Sequence, residues 1–585
     1  MNQSKSQNQK RTSKRTGTTS TRKNPSSFVL EMPLSVESQE AKVLRSRFEA
    51  GRNLYNALLC EAVKRLKAMR RSPEWKAACA IPKTPDYKDQ RKAAFALARE
   101  KYSFSEYALH AFATTARTSW IKEHIDAVTA QTLATRAFRA AQRMCVGQAK
   151  KVRFKSKGRG LSSLEGKSNN AGIRFILDKP TEGNGGKLVW GCGKLEISAL
   201  IDWQDPVIRH GLGCRIKYVR VIRRKGSSPK AEGADCTGHR YYVQLVVEGK
   251  PYLKPKNMTV GNAVIGLDLG PSTIAIVSQD AEVARLEQFC PEIRVDARAK
   301  RRLQRKLDRQ RRANNPDNFD EKGQIKKPAT AKGKGSKGKG KRFVWKDSKG
   351  YQTNSRRMAN ADRKLAAHRK SLHGKLANEI VRAGNVIKTE KVSYKGWQKC
   401  FGKSVGTRAP GMFIEMLKRT VARTGGTFLE FSTYTTKLSQ VCHGCGSLEK
   451  KPLSQRTHKC ECGIGPVQRD LYSGWLASYV EAKVEVDPIT KTETQVEFLS
   501  VSATLKWEGV ESRLSAVTDS LIQRANEGEV FPRSMGIPRA RARLPQNLSP
   551  TTAKNLAFLK GKEEAVSKKR IPRLKAGGDS VVFCS

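Results

Sequence analysis

Four cysteines stand in two close pairs within about twenty residues: Cys442 and Cys445, then Cys460 and Cys462. A turn carrying two thiolates delivers two sulfurs to one metal, and two such turns complete a tetrahedral zinc shell. The second pair is C-x-C, one residue tighter than the usual C-x-x-C. His443 and His458 are near enough in sequence to replace a cysteine, so the spacing leaves Cys462 and these histidines as candidates for the fourth ligand. A disulfide framework fits poorly, because no signal peptide starts the chain and a cytosolic compartment keeps thiols reduced. Shortly after the second pair comes a lone acid, Asp470, opening the apolar run Leu471, Trp475 and Leu476.

Two further acids interrupt apolar strand-like runs: Asp268 in VIGLDLG and Glu390 in NVIKTEKVSYKGW. A carboxylate inside an apolar strand costs free energy unless it is paired or holds a cation. A satisfied structural aspartate is the plainer alternative for Asp268. Asp268, Glu390 and Asp470 come from three separate segments, as befits clustered carboxylates that hold divalent ions against a phosphodiester. Such ions are Mg²⁺ or Mn²⁺, hard cations that prefer oxygen ligands.

The 585 residues allow one to four domains, and the net charge of +60 with a pI near 10.2 calls for a polyanionic partner. Nucleic acid is the expected partner. No apolar run reaches the length of a membrane span, and the basic residues are not confined to one amphipathic helix.

In chain order, residues 1–27 are polar and basic with no acid, the composition of a disordered arm. SFVLEMPL predicts a strand, and Leu44, Phe48, Tyr55, Leu58, Leu66 and Met69 recur at helical spacing. Helical patterning continues to about 148, with a break near Pro82. From 149 to 255 the pattern turns to short β-branched and aromatic strands, as in a small barrel or sandwich. The loop KVRFKSKGRG ahead of them offers Arg153 and Lys155 to a phosphate backbone. RAKRRLQRKLDRQRR carries nine basic residues against one acid, with Arg301, Arg302, Arg305, Lys306 and Arg309 as candidate contacts. The Gly/Lys tether AKGKGSKGKGK and a second helix follow, a hairpin suited to a polyanionic duplex. Trp397, at the end of the strand-like run 385–397 that holds Glu390, is a candidate nucleic-acid contact. Past about 482 only a few strand-like runs are legible, and the tail from 531 carries no motif.

This order of motifs resembles that of TnpB proteins of insertion sequences and compact type V CRISPR effectors, over residues 28 to 480. NLYNALL, KVRFKSKGRG, RYYVQLVVE, GLDLG with Asp268, the basic hairpin, IKTE with Glu390, TTKLSQVCHGCG and QRD with Asp470 carry the resemblance. The resemblance implies a multidomain α/β chain with an RNase H-like (RuvC) nuclease domain at 259–435 and 466–530, including the hairpin 294–376. A zinc ribbon would lie at 436–465, a β-barrel wedge at 28–36 and 149–258, and a helical recognition lobe at 37–148. It further implies RNA-guided DNA cleavage in a prokaryotic, nucleoid-associated cytoplasmic setting, with guide RNA and target DNA as partners of a monomer or homodimer. Besides the tight second thiol pair, two departures stand out. LYSGWLA follows Asp470 where the family often has an Asn in a small-residue run, and about a hundred residues follow the usual end of the nuclease. The rival readings are an RNase H-like transposase, a guided DNA binder without cleavage, and a general RNA-binding protein.

Overall fold

The computed structural model describes residues 26–538, apart from 119, 159, 179–184, 192–194, 226–237, 294–295, 327–342, 453 and 487–492. The expected N-terminal arm up to residue 25, the Gly/Lys tether and the tail beyond 538 lie outside the described residues. The chain is multidomain α/β and divides into two compact units. Among the described residues, one comprises 26–260 with 292–382 and 415–425; the other holds 261–291, 383–414 and 426–538.

In the first unit, β1 (Ser27–Pro33) leads into the long helix α1 (Ser38–Arg71). The apolar spacing predicted that helix, and its buried stripe runs through Leu44, Phe48, Leu54, Leu58 and Leu66. Helices α2 (Pro73–Ala80), α3 (Lys88–Lys101), α4 (Glu106–Ala116), α5 (Trp120–His124) and α6 (Ala127–Cys145) follow, with the break at Pro82 as expected. Among the described residues, seven strands are arranged in two antiparallel sheets. One has the order β1-β7-β6-β2, from β2 (Ser163–Glu165), β6 (Ile216–Lys225) and β7 (His239–Glu248); the other joins β3 (Ile173–Leu177), β4 (Gly186–Trp190) and β5 (Leu195–Ser198). A short helix α7 (Pro206–Leu212) precedes β6.

Helices and sheets share one core. Asp126 illustrates the joint: one oxygen caps α6 through the Thr129 amide at 2.7 Å, and the other accepts from Trp190 Nε1 at 2.9 Å. The Arg47 guanidinium is buried 4.5 Å from the Trp190 ring centroid. α8 (Ala297–Ala313) and α9 (Lys349–Ala383) also belong to this unit. They are tied by Lys300 to Asp362 at 2.7 Å and by Asn354 Nδ2 to Gln310 Oε1 at 3.0 Å.

The second unit is built on a five-stranded sheet: β8 (Ala263–Leu269), β9 (Thr273–Ser278), β10 (Ala284–Gln288), β11 (Gly384–Lys391) and β12 (Thr427–Ser432). The order is β10-β9-β8-β11-β12. The first three form an antiparallel meander, while β11 runs parallel to both β8 and β12. α10 (Tyr394–Arg408) and α11 (Pro410–Arg423) come between β11 and β12, with Phe413 against Phe289 at 5.2 Å. Then follow α12 (Thr433–Thr436), a two-stranded ribbon of β13 (Thr457–His458) and β14 (Val467–Gln468), and α13 (Arg469–Ser478). The chain continues as a hairpin, β15 (Val480–Val486) and β16 (Glu493–Leu499), then α14 (Ser502–Leu505) and α15 (Trp507–Asn526). α15 buries Trp507, Val510, Leu514, Leu521 and Ala525 in the same core as Leu471, Trp475 and Leu476 of α13.

Candidate carboxylate and thiolate sites

Strand alternation decides which way Asp268 faces. Ile265, Leu267 and Leu269 point to one side of β8, so Gly266 and Asp268 share the other. Register carries that face across the sheet. Gly266 pairs with Val277 and Asp268 with Ala275 on β9, while Lys388 on β11 pairs with Gly266. Glu390 lies two residues beyond Lys388, as Asp268 lies two beyond Gly266, so both acids emerge on one face of adjoining parallel strands.

α13 lies on that same face, because Gly474 packs against Val277 and Ala275. The approach is backbone to backbone. A Cβ on Gly266 would collide with the Gly474 carbonyl oxygen and stand 2.5 Å from the Ser478 amide nitrogen. Lys388 Nζ donates to Ser478 O at 2.8 Å, holding the far end of the helix. The near end is capped by Gln468, whose Oε1 accepts from the Leu471 amide at 2.7 Å. Asp470 sits in the first turn, where the helix dipole favours a negative charge. We expect Gly266→Ala to displace α13 and to cost about 1–3 kcal/mol of stability. A denaturant melt together with amide exchange in α13 checks this; an unchanged melt with unchanged exchange would refute the close contact.

The electrostatics are those of carboxyl groups held together against their own repulsion. Burial pushes the Asp268 carboxyl well above the usual carboxylate range, and the neighbouring Asp470 and Glu390 push it further. Asp268 nevertheless keeps part of its surface open to solvent. Glu390 is raised by burial to about 7. Asp470, 8% exposed, is also raised by burial, though Arg456 and Arg469 oppose the shift. Their guanidinium nitrogens lie 3.6 and 3.5 Å from Asp470 Oδ1. Neither arginine is marked by sequence spacing; only the fold brings Arg456 there, from the excursion between the two thiol pairs.

Buried like charges with raised proton affinity fit a divalent cation, which replaces the protons and removes the repulsion. The sign of the pH effect follows. Between the ordinary glutamate value of 4.5 and about 7, folded Glu390 holds a proton that the unfolded chain has released. Stability of the metal-free protein therefore falls as pH rises through that window. Cation affinity moves oppositely, weakening by up to about tenfold per pH unit below 7 for each proton displaced. Melting at pH 6 and pH 8, with and without Mg²⁺, checks both signs; a Mg²⁺ shift independent of pH would contradict them.

The four cysteine sulfurs converge, all lying within 4.8 Å of one another. Cys442 Sγ is 3.5 Å from Cys462 Sγ, and Cys445 Sγ is 3.5 Å from Cys460 Sγ. Zinc–sulfur bonds of about 2.3 Å set tetrahedral sulfurs about 3.8 Å apart, so the cluster fits zinc. Cys462 thus joins the cluster despite the tight C-x-C spacing. The two histidines take other work: His443 Nδ1 meets Tyr472 Oη at 2.8 Å, and His458 Nδ1 meets Lys451 Nζ at 2.8 Å. Burial pushes the Cys442 thiol up to about 12, while the Cys462 amide and the Ser447 hydroxyl hold Cys460 down at about 6.

The basic candidates lie elsewhere in the fold. Arg153 is exposed and Lys155 half-buried on the loop before β2, which Asn56 holds by accepting from the Lys155 amide at 2.8 Å. Arg301, Arg302, Arg305, Lys306 and Arg309 are all exposed on α8. Trp397 sits on α10 rather than on an extended strand. Ser393 caps that helix by accepting from the Gly396 amide, and the Trp397 ring stacks edgewise on Tyr394. Among the described residues no helix is long and apolar enough to cross a membrane.

No protein-family model matches the chain, and no curated protein matches it in sequence. Among solved structures the chain is similar to that of a Cas12f1–sgRNA–target DNA complex. The match has 11% identity, covers 78% of this chain and 99% of that one, and has a TM-score of 0.39. It is similar also to a CRISPR–Cas12f ternary complex, with 13% identity, 78% and 83% coverage, and a TM-score of 0.24.

Proposed function

We propose that the protein is an RNA-guided DNA endonuclease whose single site is formed by Asp268, Glu390 and Asp470. The observation that carries this is the placement of the three acids on one sheet face and the helix end above it, each with its proton affinity raised. The mixed five-stranded order supports an RNase H-like (RuvC) nuclease domain, and the four sulfurs support a zinc ribbon before the third acid. The wedge, recognition lobe and hairpin follow from the motif resemblance.

Asp268, Glu390 and Asp470 would hold Mg²⁺ or Mn²⁺, which when bound supplies an activated water and charge neutralisation at the scissile phosphate. The chain's own part is positional. β8 and β11 fix two carboxylates on a rigid sheet, and α13 presents the third. Arg456 and Arg469 hold Asp470 in place and favour its ionised form. The exposed basic residues of α8 and the 151–158 loop neutralise backbone phosphates, while base pairing with the guide reads sequence.

Sequencing the RNA that co-purifies from cells carrying the native locus tests the guided half. A discrete structured RNA with a short variable end is expected, and DNA matching that end should be cut only with Mg²⁺ or Mn²⁺. A broad smear of cellular RNA would refute guiding. Joined rather than cut DNA would favour a transposase.

A further inference from the structure

The segment just past α15 touches the carboxylate site at three points. Arg533–Met535 forms a single 3-10 turn ending at Gly536, whose φ of 74° is the left-handed conformation. Met535 and Ile537 anchor it, 1% and 9% exposed, in the core that α13 shares. Ser534 Oγ lies 3.1 Å from Ser272 Oγ, in the turn that closes the Asp268 strand. Met535 O accepts from Gln468 Nε2 at 3.1 Å. That amide is buried, and its other atom caps the helix carrying Asp470. Gly536 lies flat against the stem of Arg456, the partner of Asp470: a Cβ there would collide with Arg456 Cβ and lie 2.7 Å from its Cγ.

We propose that residues 534–536 are a strap that positions Asp470 and its arginine relative to Asp268. The three contacts act on different parts of the site: the turn after β8, the cap of α13, and the guanidinium beside Asp470. None of the three residues is one of the clustered acids; each acts through Ser272, Gln468 or Arg456. The strap is thus a positioning element, supplied by chain beyond the third acid. Its catalytic consequence rests on the nuclease function proposed above, whereas its mechanical consequence does not.

Two variants of the full chain separate these. Gly536→Ala drives the Arg456 stem away, and Ser534→Ala, a milder change, removes only the hydroxyl contact. Amide hydrogen exchange is measured at Leu471 and Tyr472, with β9 amides as the reference. Gly536→Ala is expected to speed exchange in the first turn of α13 by about tenfold, with β9 unchanged. Single-turnover cleavage against Mg²⁺ concentration gives the second readout. The Mg²⁺ needed for half-maximal rate should rise about tenfold in Gly536→Ala, and by a smaller factor in Ser534→Ala, while DNA binding is retained. Exchange and Mg²⁺ requirement both unchanged in Gly536→Ala would overturn the strap, as would faster exchange spread evenly over β9 and α13. If wild type showed no metal-dependent cleavage but exchange still rose locally, the strap would stand and the nuclease assignment would fall.

Discussion

On the function proposed above, Asp268→Asn is expected to bind guide RNA and target DNA as the unaltered protein does, but to cut DNA about a thousandfold or more slowly. Asp268 stands on the central strand β8 and feels both other acids. Removing a carboxylate from such a site forfeits several kcal/mol of charge stabilisation, and each 1.36 kcal/mol is tenfold in rate. The same substitution should stabilise the metal-free fold. Burial and two neighbouring carboxylates oppose ionisation of Asp268, and asparagine fills the space with no charge to bury. Slower cutting with a higher melting temperature is therefore the combined expectation. Cleavage within about tenfold of wild type would place the chemistry elsewhere. A lower melting temperature with binding lost would mean that Asp268 is structural.

Removing zinc should have the second largest effect. Structural zinc contributes apparent binding free energies of about 10–16 kcal/mol near neutral pH, far more than this small ribbon can replace by packing. Around the sulfurs the described residues offer only a two-stranded sheet and one bridge, Val441 to Leu448. A strong chelator, or Cys442→Ser at the one buried ligand, should release one zinc per chain and expose residues 440–465 to proteolysis. Cleavage should fall with it. Arg456 sits within the excursion between the thiol pairs, and its carbonyl oxygen accepts from the Arg469 amide at 2.8 Å. Losing the ribbon therefore frees both arginines that face Asp470. Full cleavage by metal-stripped protein, zinc content verified, would separate the thiolate cluster from the nuclease.

Much of this was legible in the sequence because it depends on local pattern. The helical stripe from Leu44 to Met69, the apolar strand around Asp268 and the acid at a helix start each follow from spacing alone. The convergence of the four sulfurs was half legible: the pairs were plain, but C-x-C spacing cannot choose among Cys462, His443 and His458. The fold decides it by bringing the Cys462 sulfur within 4.8 Å of the other three, a group that includes neither histidine. Arg456 was illegible, because its role comes from tertiary approach and it looks like any basic loop residue. α15 is obscured in the sequence although Trp507, Val510, Leu514 and Leu521 recur at helical spacing, because charged residues between them dilute the pattern. Trp397 shows the opposite error, since a strand pattern ran on past the Ser393 cap into a helix.

The topology also bears on the timing of synthesis. β8 and β11 are neighbours in the sheet, yet more than a hundred residues separate them in the chain, and Asp470 and the turn at 533–535 come later still. Ribosomes add about 5–20 residues per second, so Asp268 emerges about 10–40 s before Asp470. Throughout that interval the nascent chain is strongly basic but lacks the third of the clustered carboxylates. Long-range strand pairing of this kind also folds slowly. The carboxylate cluster is thus completed late in synthesis, well after the strand that carries Asp268 has been made.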